Sequence, residues 1–409
     1  MISVAEALTL VARHSQPRPA VEMPVADALG LVLAEDVASD VDSPPHDKSI
    51  VDGYAVVAAD MAGGEARLAI VEEVVAGNVP SRRVTNGTAT RIMTGAPLPE
   101  GADAVVMIER SEVKASPRSH LGDALLRADG LKPGQNILRR GASFRRGEVV
   151  VRAGATLRAI EIGLLCEVGR VAVRVVPRPT VAILSTGNEL VPPCEVPGPG
   201  KIRNSNGPML AAAVARAGGR PVDLGVGRDD RDELRRSIAT GLAADVLVLS
   251  GGVSAGVLDL VPGVLAGLEV EQVFHKVRLK PGKPLWFGVL VSGGASKLVF
   301  GLPGNPVSSF VSFELFVRPA LAQLAGRGFN GLATCHAGLT QPFIHRGERP
   351  TYHPAVLRQS AAGATVEPLA WQGSADLRGL AAANALVQFP AGDRAFVAGE
   401  AVEVLVMDD

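Results

Sequence analysis

A glycine-rich segment near the middle of the chain has the residue types that can hold an anion. It reads Ser250-Gly251-Gly252-Val253-Ser254, and Asp259 follows it closely. Glycines lack a Cβ, so backbone N–H groups can approach a ligand closely, and the serine hydroxyls add donors. The segment can therefore hold a phosphate or another oxyanion, with the Asp259 carboxylate within reach. A plain turn between a strand and a helix, with an N-capping Asp, is the alternative interpretation.

A cluster of cations follows this segment in the sequence. Only eight of the 41 basic residues are lysines, yet Lys276, Lys280 and Lys283 lie within eight consecutive positions. If Phe274–Lys280 is extended, the alternation of a strand places Lys276, Arg278 and Lys280 on one face. Compact lysine charges near a glycine-rich turn and several carboxylates suit a polyanionic ligand with a divalent metal. A solvated edge strand is the alternative.

Carboxylates that follow predicted strands are the candidate Mg²⁺ ligands, and they are Glu189, Asp229, Asp230 and Asp259. Asp230 also begins an Asp-x-x-Glu capping box with Glu233, so helix capping is a competing explanation for it. Glu189 has no capping role in the sequence pattern, which favours a functional role for this residue.

The elements that must position these groups alternate between strand and helix from Pro177 to Gly326. The predicted strands are Thr180–Leu184, Pro221–Val226, Val246–Leu249 and Lys297–Gly301. The predicted helices are Gly207–Ala217, a helix from Asp230 to about Leu242, Asp259–Leu268, and a long apolar helix from Pro306 to about Leu324. This alternation predicts βαβ units and a parallel sheet. Because ligands bind beyond the carboxyl ends of such strands, one edge should gather residues 185–190, 228–230, 250–254 and 302–308.

The rest of the chain is predicted to be mostly β. Short β runs separated by Gly and Pro, as in a small all-β module, cover Asp52–Val57, Leu68–Val75, Gly87–Met93 and Ala104–Ile108. After Gly326 the pattern is β again, with clear strands at Val387–Phe389 and Ala401–Val406. A capping box, Ser3-x-x-Glu6, begins a helix to about His14, and Ala159–Glu167 is predicted to be helical. The fold class is therefore α/β and β multidomain, with a central parallel α/β domain, small β modules and a C-terminal β domain.

Composition excludes several classes of function. The 409 residues have 41 basic and 42 acidic side chains, a net charge of -1, which argues against a dedicated nucleic-acid binder. No apolar run approaches the roughly 20 residues that span a bilayer, and the N-terminus has no basic region of a secretory signal. The three cysteines, Cys166, Cys194 and Cys335, form neither a zinc-site nor a disulfide pattern and suit a reducing compartment. We expect a cytoplasmic protein without membrane or nucleic-acid partners.

Seven motifs in order resemble those of the MoeA family, the molybdenum-insertion proteins of molybdenum cofactor biosynthesis, which is similar to the E domain of gephyrin. They are VDGYAV (51–56), RIMTGAPLPEGADAVV (91–106), STGNEL (185–190), NSNGPML (204–210), SGGVSAGVLD (250–259), KPGKP (280–284) and GLPGNPVSS (301–309). They cover most of the chain, although the last domain carries the resemblance weakly.

The resemblance implies a four-domain subunit and a likeness of the central domain to molybdopterin adenylyltransferases. The implied division is a discontinuous linking α/β domain (1–41 and 141–176), an inserted β-rich domain (42–140), a molybdopterin-binding α/β domain (177–326) and a C-terminal β-barrel-like domain (327–409). The implied activity is Mg²⁺-dependent insertion of molybdate into adenylylated molybdopterin with release of AMP. The implied partners are a second copy of the chain, in a homodimer, and a molybdopterin adenylyltransferase.

The resemblance also implies roles for individual residues. The implied catalytic residues are Asp52, Thr94, Glu189, Asp259, Lys276 and Lys280. The residue pattern and the resemblance together give the candidate substrate-binding residues Ser250, Gly251, Gly252, Ser254, Arg278, Lys283, Pro303, Gly304, Asn305, Ser308 and Ser374. A structural turn before a helix is the alternative interpretation of residues 303–306. The implied metal ligands are the four carboxylates at 189, 229, 230 and 259.

Two positions depart from the family pattern. Members often carry Asp in an RGEDI-like segment where this chain has Ser143, and Arg in an F-x-R segment where it reads Thr351-Tyr352-His353. These changes would remove one carboxylate and one fixed cation from the expected pocket, because histidine is only partly charged at neutral pH. Either this member tolerates the changes, or it is a non-catalytic scaffold or a paralogue that prefers tungstate. A molybdopterin adenylyltransferase is a further alternative, because the Pro177–Gly326 domain alone fits that relative.

Overall fold

The structure, a computed structural model, describes residues 1–253, 260–361 and 363–407. The α-helices of this part of the chain are α1 (Val4–His14), α2 (Ala159–Glu167), α3 (Asn206–Arg216), α4 (Arg231–Gly241), α5 (Val261–Ala266), α6 (Pro306–Ser312), α7 (Arg318–Leu324) and α8 (Leu377–Ala381). A π-helical turn, Phe313–Val317, joins α6 to α7. No helix of the described residues is long and apolar enough to cross a membrane.

The strands are mostly short. The first thirteen are β1 (Val21–Pro24), β2 (Val32–Leu33), β3 (Val37–Ala38), β4 (Lys48–Ser49), β5 (Gly53–Val56), β6 (Glu65–Val74), β7 (Thr88–Ile92), β8 (Ala104–Met107), β9 (Ser111–Ser116), β10 (Ser119–Arg127), β11 (Ile137–Leu138), β12 (Val149–Val151) and β13 (Ala172–Val176). The others are β14 (Thr180–Thr186), β15 (Leu190–Val191), β16 (Ile202–Arg203), β17 (Arg220–Gly227), β18 (Val246–Ser250), β19 (Glu271–His275), β20 (Trp286–Ser292), β21 (Ala295–Leu302), β22 (Thr334–Leu339), β23 (Phe343–His345), β24 (Thr351–Ser360), β25 (Gly363–Pro368), β26 (Ala385–Phe389), β27 (Arg394–Phe396) and β28 (Ala401–Val406).

The chain divides into two compact units. Unit 1 contains Met1–Met23, Gly30–Ala34 and Arg174–Asp409, and unit 2 contains Pro24–Leu29 and Glu35–Val173. The four-part division that the sequence suggests is finer than this, and it stays a prediction.

The central sheet of unit 1 has the order β17-β14-β18-β21-β20-β19. Its first four strands are parallel, and β20 and β19 continue it in antiparallel orientation. Helices cover both faces because successive side chains of each buried strand point in opposite directions. Val246 and Val248 of β18 pack in the cluster that includes α3 and α6, whereas Leu247 and Leu249 pack with α4 and α5. This confirms the predicted α/β domain.

The C-terminal part of unit 1 is a closed barrel in the order β22-β25-β24-β26-β28. Its interior is apolar, and the rings of Phe343 and Phe389 stack with centroids 4.3 Å apart. The predicted C-terminal β domain is therefore confirmed.

Unit 2 is built around a six-stranded sheet in the order β8-β5-β7-β6-β10-β9. Its core includes Tyr54, Met61 and Leu126, all almost completely buried. The predicted β runs of this region correspond to β5 to β8, and the structure adds β9 and β10 at one edge of the sheet.

Of the two capping boxes that the sequence predicts, the one at α1 forms completely and the one at α4 forms only in part. At α1 the Ser3 hydroxyl and the Glu6 carboxylate form the predicted capping box. At α4 the Asp230 side chain accepts hydrogen bonds from the backbone N–H groups of residues 232 and 233, as an N-cap should. The Glu233 carboxylate accepts the Arg228 N–H at 3.1 Å instead of the Asp230 N–H. The second hydrogen bond of the predicted capping box is therefore wrong.

Candidate functional site

A cavity of about 480 Å³ lies at the carboxyl ends of the parallel strands in unit 1. It is lined by residues of five segments: 185–190, 202–206, Asp229, 250–253 and 303–306, together with Pro284. Four of these segments are those that the sheet rule gathers at one edge, so the predicted convergence is confirmed for the described residues, and the segment 202–206 is an addition. The cavity includes the predicted substrate-binding residues Ser250, Gly251, Gly252, Pro303, Gly304 and Asn305, whereas Ser254 lies outside the described residues.

The turn after β18 is held tightly against its neighbours. The Gly251 N–H donates to the Leu302 carbonyl at 3.0 Å, which ties the turn to the end of β21. Gly251 has a φ of 95°, and a Cβ at this position would lie 2.7 Å from the Thr186 carbonyl oxygen. A side chain would therefore force the backbone of two turns apart, so glycine is required here.

Asn206 connects two walls of the first cavity. Its side-chain nitrogen donates to the Ser250 hydroxyl at 2.8 Å and to the Gly304 carbonyl at 2.7 Å. A single amide therefore fixes the turns after β18 and β21 relative to each other. The NSNGPML motif contains this residue, although no pattern in the motif predicts a role for it.

Asn204 supports the same wall from the neighbouring position. Its side-chain oxygen accepts the Ser185 hydroxyl and the Gly207 N–H, both at 3.0 Å. Sequence reasoning missed this bond as well; two asparagines immediately before a predicted helix were the available signal.

The predicted carboxylates separate into three groups. Glu189 and Asp229 line the first cavity, and Asp229 also exchanges hydrogen bonds with Asn188 at 3.1 and 3.3 Å. Asp230 caps α4, and Asp259 lies outside the described residues. The described residues contain no group of three or more His, Cys, Asp or Glu side chains arranged to hold a metal. Two carboxylates on one cavity still offer the oxygen ligands that Mg²⁺ prefers, so the magnesium site stays a prediction.

The Glu189 carboxylate folds back over a glycine. Gly187 has a φ of 145°, and a Cβ there would lie 2.7 Å from the Oε1 atom of Glu189. In the part of the chain that the structure describes, no hydrogen bond to this carboxylate is found. Glu189 is exposed, and its oxygens are available to a ligand.

The turn before α6 contacts a residue of the barrel domain. Pro306 occupies the N1 position of α6, as predicted. The Asn305 amide donates to the Ser374 hydroxyl at 2.8 Å, and the Val307 N–H donates to the Ser374 carbonyl at 3.1 Å. Ser374 therefore abuts the cavity wall without lining it, while Ser308 is buried within α6.

Most of the predicted cations line a second cavity. This second cavity of about 510 Å³ is lined by Met1, Arg278, Lys280, Lys283, Arg346, Gly347, Glu348 and Arg349. The lysines at 280 and 283 and the glycine-rich turn line different cavities, although Lys283 of the second cavity and Pro284 of the first are adjacent in the chain. The expectation that they share one ligand stays a prediction. Lys276 is not among the residues that line either one.

The backbone explains this arrangement of the cations. Strand β19 ends at His275, and Lys276 has a φ of 70°, so Phe274–Lys280 is not one continuous strand. The predicted alternation nevertheless holds in burial: Val277 and Leu279 are buried, whereas the residues between and after them are exposed. Isolated bridges from Val277 to Ile2 and from Lys280 to Thr351 replace regular strand pairing.

Asp52 and Thr94 lie together in unit 2. The Thr94 N–H and hydroxyl both donate to Oδ1 of Asp52, at 2.7 and 2.8 Å. These two bonds hold the pKa of the Asp52 carboxyl below its usual value. The catalytic roles assigned to the two residues by resemblance stay predictions. Ser143, the first departure from the family pattern, is exposed in the same unit.

His353, the second departure, is not a free cation. Its Nε2 donates to the Leu369 carbonyl at 2.9 Å, and its ring packs edge-on against Trp371. Burial lowers the pKa of His353, and the charge of Lys280 lowers it further. The imidazole is therefore neutral at neutral pH and does not supply the fixed positive charge of an arginine.

Fold and cavity together define the class of protein: a multidomain α/β and β protein with a polar ligand cavity at the carboxyl edge of a largely parallel sheet. Three family models match successive parts of the chain. They are the MoeA N-terminal region (domain I and II) over residues 2–169, a probable molybdopterin binding domain over 182–323, and the MoeA C-terminal region (domain IV) over 336–407.

Relatives match over the whole chain. The molybdopterin molybdenumtransferase of Staphylococcus aureus (strain Mu50 / ATCC 700699) is 32% identical over 415 residues, which cover 100% of this chain and 96% of the relative. That of Staphylococcus epidermidis is also 32% identical, with the same coverage. A crystal structure of the molybdopterin biosynthesis MoeA protein from Pyrococcus horikosii has a TM-score of 0.84 and 33% identity, with each chain covered completely. The chain therefore belongs to the MoeA family of molybdopterin molybdenumtransferases, enzymes of molybdenum cofactor biosynthesis.

Proposed function

We propose that this protein inserts molybdate into adenylylated molybdopterin, with Mg²⁺, and releases AMP. The observation that carries the proposal is the first cavity, where four glycine- or asparagine-rich turns of the family motifs meet at one edge of the sheet. Membership of the family supports the reaction class, and the polar residues that line the cavity support the choice of a phosphate-bearing pterin nucleotide as substrate.

The residues of the first cavity suit the anhydride of such a nucleotide. The Gly251 N–H is already bonded to the Leu302 carbonyl, so the groups available to the anhydride are the other polar groups of the turns, including the side chains of Ser250 and Asn305. Glu189 and Asp229 would hold Mg²⁺, and a bound Mg²⁺ would offset the negative charge that develops as the phosphoanhydride breaks. Asn206 keeps the two turns in register while the substrate is held, which limits the reorganisation that binding requires.

The proposal extends to assembly and compartment. The protein acts as a cytoplasmic homodimer and contacts a molybdopterin adenylyltransferase that supplies its substrate. The free state of Cys166, Cys194 and Cys335 is consistent with a reducing compartment. Size-exclusion chromatography with light scattering tests the dimer, and a monomer at micromolar concentration would contradict it.

Reconstitution tests the reaction directly. Purified protein, adenylylated molybdopterin, Mg²⁺ and molybdate should yield AMP and active cofactor, with tungstate in a parallel reaction. The variants Asp259→Ala and Lys280→Ala should abolish insertion without unfolding the protein. Asp223→Asn, a change outside the cavity on β17, serves as the control and should keep full activity.

Each outcome assigns a function. Molybdate-dependent AMP release supports the transferase, and release with tungstate alone assigns a tungstate-preferring paralogue. ATP-dependent adenylylation of free molybdopterin would replace the proposal with an adenylyltransferase. A folded protein that binds no pterin or nucleotide would be a scaffold.

A further inference from the structure

The first cavity has a single cation among the described residues that line it. That cation is Arg203, and the other charged side chains of this lining are the carboxylates of Glu189 and Asp229. Lys280 and Lys283, which the sequence motifs contain, line the second cavity instead. Two carboxylates repel an anion, so a nucleotide that enters the first cavity needs a positive charge there. Among the described lining residues, only Arg203 supplies one.

Arg203 lies on a short ribbon of two strands that also fixes the backbone of Glu189. Strand β16 pairs in parallel with β15, and Arg203 lies opposite Val191. The Ile202 N–H donates to the Glu189 carbonyl at 2.8 Å, and the Asn204 N–H donates to the Val191 carbonyl at 2.8 Å. The backbone on both sides of Arg203 is therefore tied to the segment that carries the carboxylate.

The guanidinium of Arg203 is oriented without being neutralised. Its Nε donates to the Glu195 carbonyl at 2.9 Å. In the described part of the chain, none of the salt bridges includes Arg203, and no hydrogen bond of its Nη groups is found. The residue is exposed, so a ligand can reach it. Both Nη groups therefore keep their N–H donors for a ligand, since a guanidinium carries five donors in all.

We propose that Arg203 binds both phosphates of the anhydride in adenylylated molybdopterin and so selects the adenylylated pterin over free molybdopterin. This assignment rests on the proposed function and adds to it a residue that no family motif contains, because Arg203 immediately precedes the NSNGPML motif. It assigns specificity to one side chain of the first cavity.

The chemistry of the anhydride suits a guanidinium. An anhydride that joins two alcohols carries a negative charge on each of its phosphates, and the planar fork of arginine can donate to oxygens of both. A lysine ammonium is a point charge and does not match such a pair of acceptors equally well. Adenylylation supplies the second phosphate, so free molybdopterin should gain less from the fork than the adenylylated pterin does.

Binding of an anhydride to the free protein tests this assignment. ADP-ribose is the probe, because its anhydride joins AMP to a second alcohol, as that of adenylylated molybdopterin does. AMP has one phosphate and adenosine has none. In calorimetric titrations, Arg203→Gln should raise the Kd of ADP-ribose about tenfold and the Kd of AMP by a smaller factor, and should leave the Kd of adenosine unchanged. Arg203→Lys should recover the binding of AMP more completely than that of ADP-ribose, because the charge returns without the fork.

The same titrations in EDTA separate Arg203 from bound Mg²⁺. Because the guanidinium is part of the protein, the loss of ADP-ribose binding in Arg203→Gln should persist when Mg²⁺ is removed. A loss that occurs only in the presence of Mg²⁺ would overturn the direct contact, because Arg203 would then act through the metal site.

Arg236→Gln is the matched control, because Arg236 is an exposed arginine of α4 in the same unit and does not line the first cavity. This variant should bind all three probes as the parent protein does. The assignment is overturned if the parent protein does not bind ADP-ribose at millimolar concentration, or if Arg203→Gln leaves its Kd unchanged. An equally large loss for AMP or adenosine, or in Arg236→Gln, would also overturn it.

The reconstitution assay keeps this test separate from the proposed function. If the parent protein binds ADP-ribose through Arg203 but releases no AMP from adenylylated molybdopterin, the anhydride contact stands and the transferase assignment fails. If AMP release proceeds with the same KM in Arg203→Gln as in the parent protein, the transferase assignment stands and the anhydride contact fails.

Discussion

The Asn305 side chain donates a 2.8 Å hydrogen bond to the hydroxyl of Ser374. Asn305 belongs to the turn that lines the first cavity, whereas Ser374 follows the barrel strand β25. The two residues are 69 positions apart in the chain. The bond therefore couples the wall of the cavity to the C-terminal domain.

Removal of this hydroxyl should weaken substrate binding without unfolding the protein. Ser374→Ala leaves the backbone bond from Val307 to residue 374 in place, so the melting temperature should change little. Loss of one exposed hydrogen bond, about 1 kcal/mol, should raise the KM for adenylylated molybdopterin roughly fivefold. Steady-state AMP release measures this effect. Ser296→Ala, an exposed serine on β21, is the control, and equal KM values in the two variants would refute the coupling.

Asn206 should act as a positioning residue. Asn206→Ala removes both donors that join the Ser250 and Gly304 turns, so each turn gains freedom in the unbound enzyme. We expect a KM for the pterin nucleotide at least tenfold higher and a smaller fall in kcat, because the cost of ordering the turns is then met on binding. Asn330→Ala, which removes only a local bond to the Arg327 carbonyl, should leave both constants unchanged. A fall in kcat with constant KM would contradict the positioning role.

The pKa of Asp52 should depend on Thr94. Thr94→Val removes the hydroxyl donor and keeps the N–H donor, so the pKa of Asp52 should rise part of the way to its usual value. A depressed carboxyl pKa gives stability that is present above the unfolded-state pKa and is lost as pH falls through the folded-state pKa. The variant should therefore lose this contribution at a higher pH than the parent does.

Carbon-13 NMR titration of the carboxyl groups between pH 2 and 6 measures this shift. The Asp42 carboxyl is the internal control, because its pKa is lowered by the Arg146 N–H and the Arg140 side chain. An Asp52 titration that Thr94→Val leaves unchanged would show that the backbone N–H alone sets the pKa.

Local patterns predicted most of the elements that surround the site. The strand at Val246 and the turn at Gly251 follow from an apolar run that ends in glycines, and the sheet rule then brings Glu189 and Asp229 to the same edge. These features depend on neighbours in sequence or on a general property of parallel sheets, so one sequence is sufficient to predict them.

The second cavity depends on contacts that no local pattern contains. Lys280 pairs with Thr351, and Val277 pairs with Ile2, so segments far apart in the chain decide where the cations point. Alternation correctly predicted which of these side chains are exposed. Alternation could not predict that the exposed cations line a cavity together with Arg346. That arrangement depends on where the barrel packs against the segment, which the sequence of the segment does not contain.

Gly187 should be needed for the position of Glu189 rather than for stability. In Gly187→Ala the new methyl group would meet the Glu189 carboxylate, a mobile end of a side chain that can move away. The positive φ of 145° adds a modest strain. We expect a folded protein whose Mg²⁺-dependent AMP release falls at least tenfold. Gly198→Ala is the control, since a Cβ there meets nothing within 4 Å and activity should be retained; equal activity in the two variants would mean that Glu189 needs no fixed position.

The buried ion pairs of Glu314 should make a large contribution to stability. Its carboxylate is completely buried in the π-helical turn, where it accepts hydrogen bonds from Arg318 and, at 2.7 Å, from Arg216. Glu314→Ala leaves the largely buried Arg318 without this partner, which should lower the free energy of unfolding by about 3–5 kcal/mol. Urea unfolding followed by tryptophan fluorescence and circular dichroism measures the change.

An exposed pair provides the comparison for Glu314. Glu367→Ala breaks the surface salt bridge between Glu367, whose side chain is 41% exposed, and Arg358, whose side chain is 59% exposed. This change should lower the free energy of unfolding by at most about 1 kcal/mol. High salt should reduce the effect of Glu367→Ala further, while the effect of Glu314→Ala should persist, because buried charges are screened much less. Similar losses of unfolding free energy in the two variants would show that burial does not determine how much the Glu314 ion pairs contribute. Other contacts would then have to stabilise the π-helical turn.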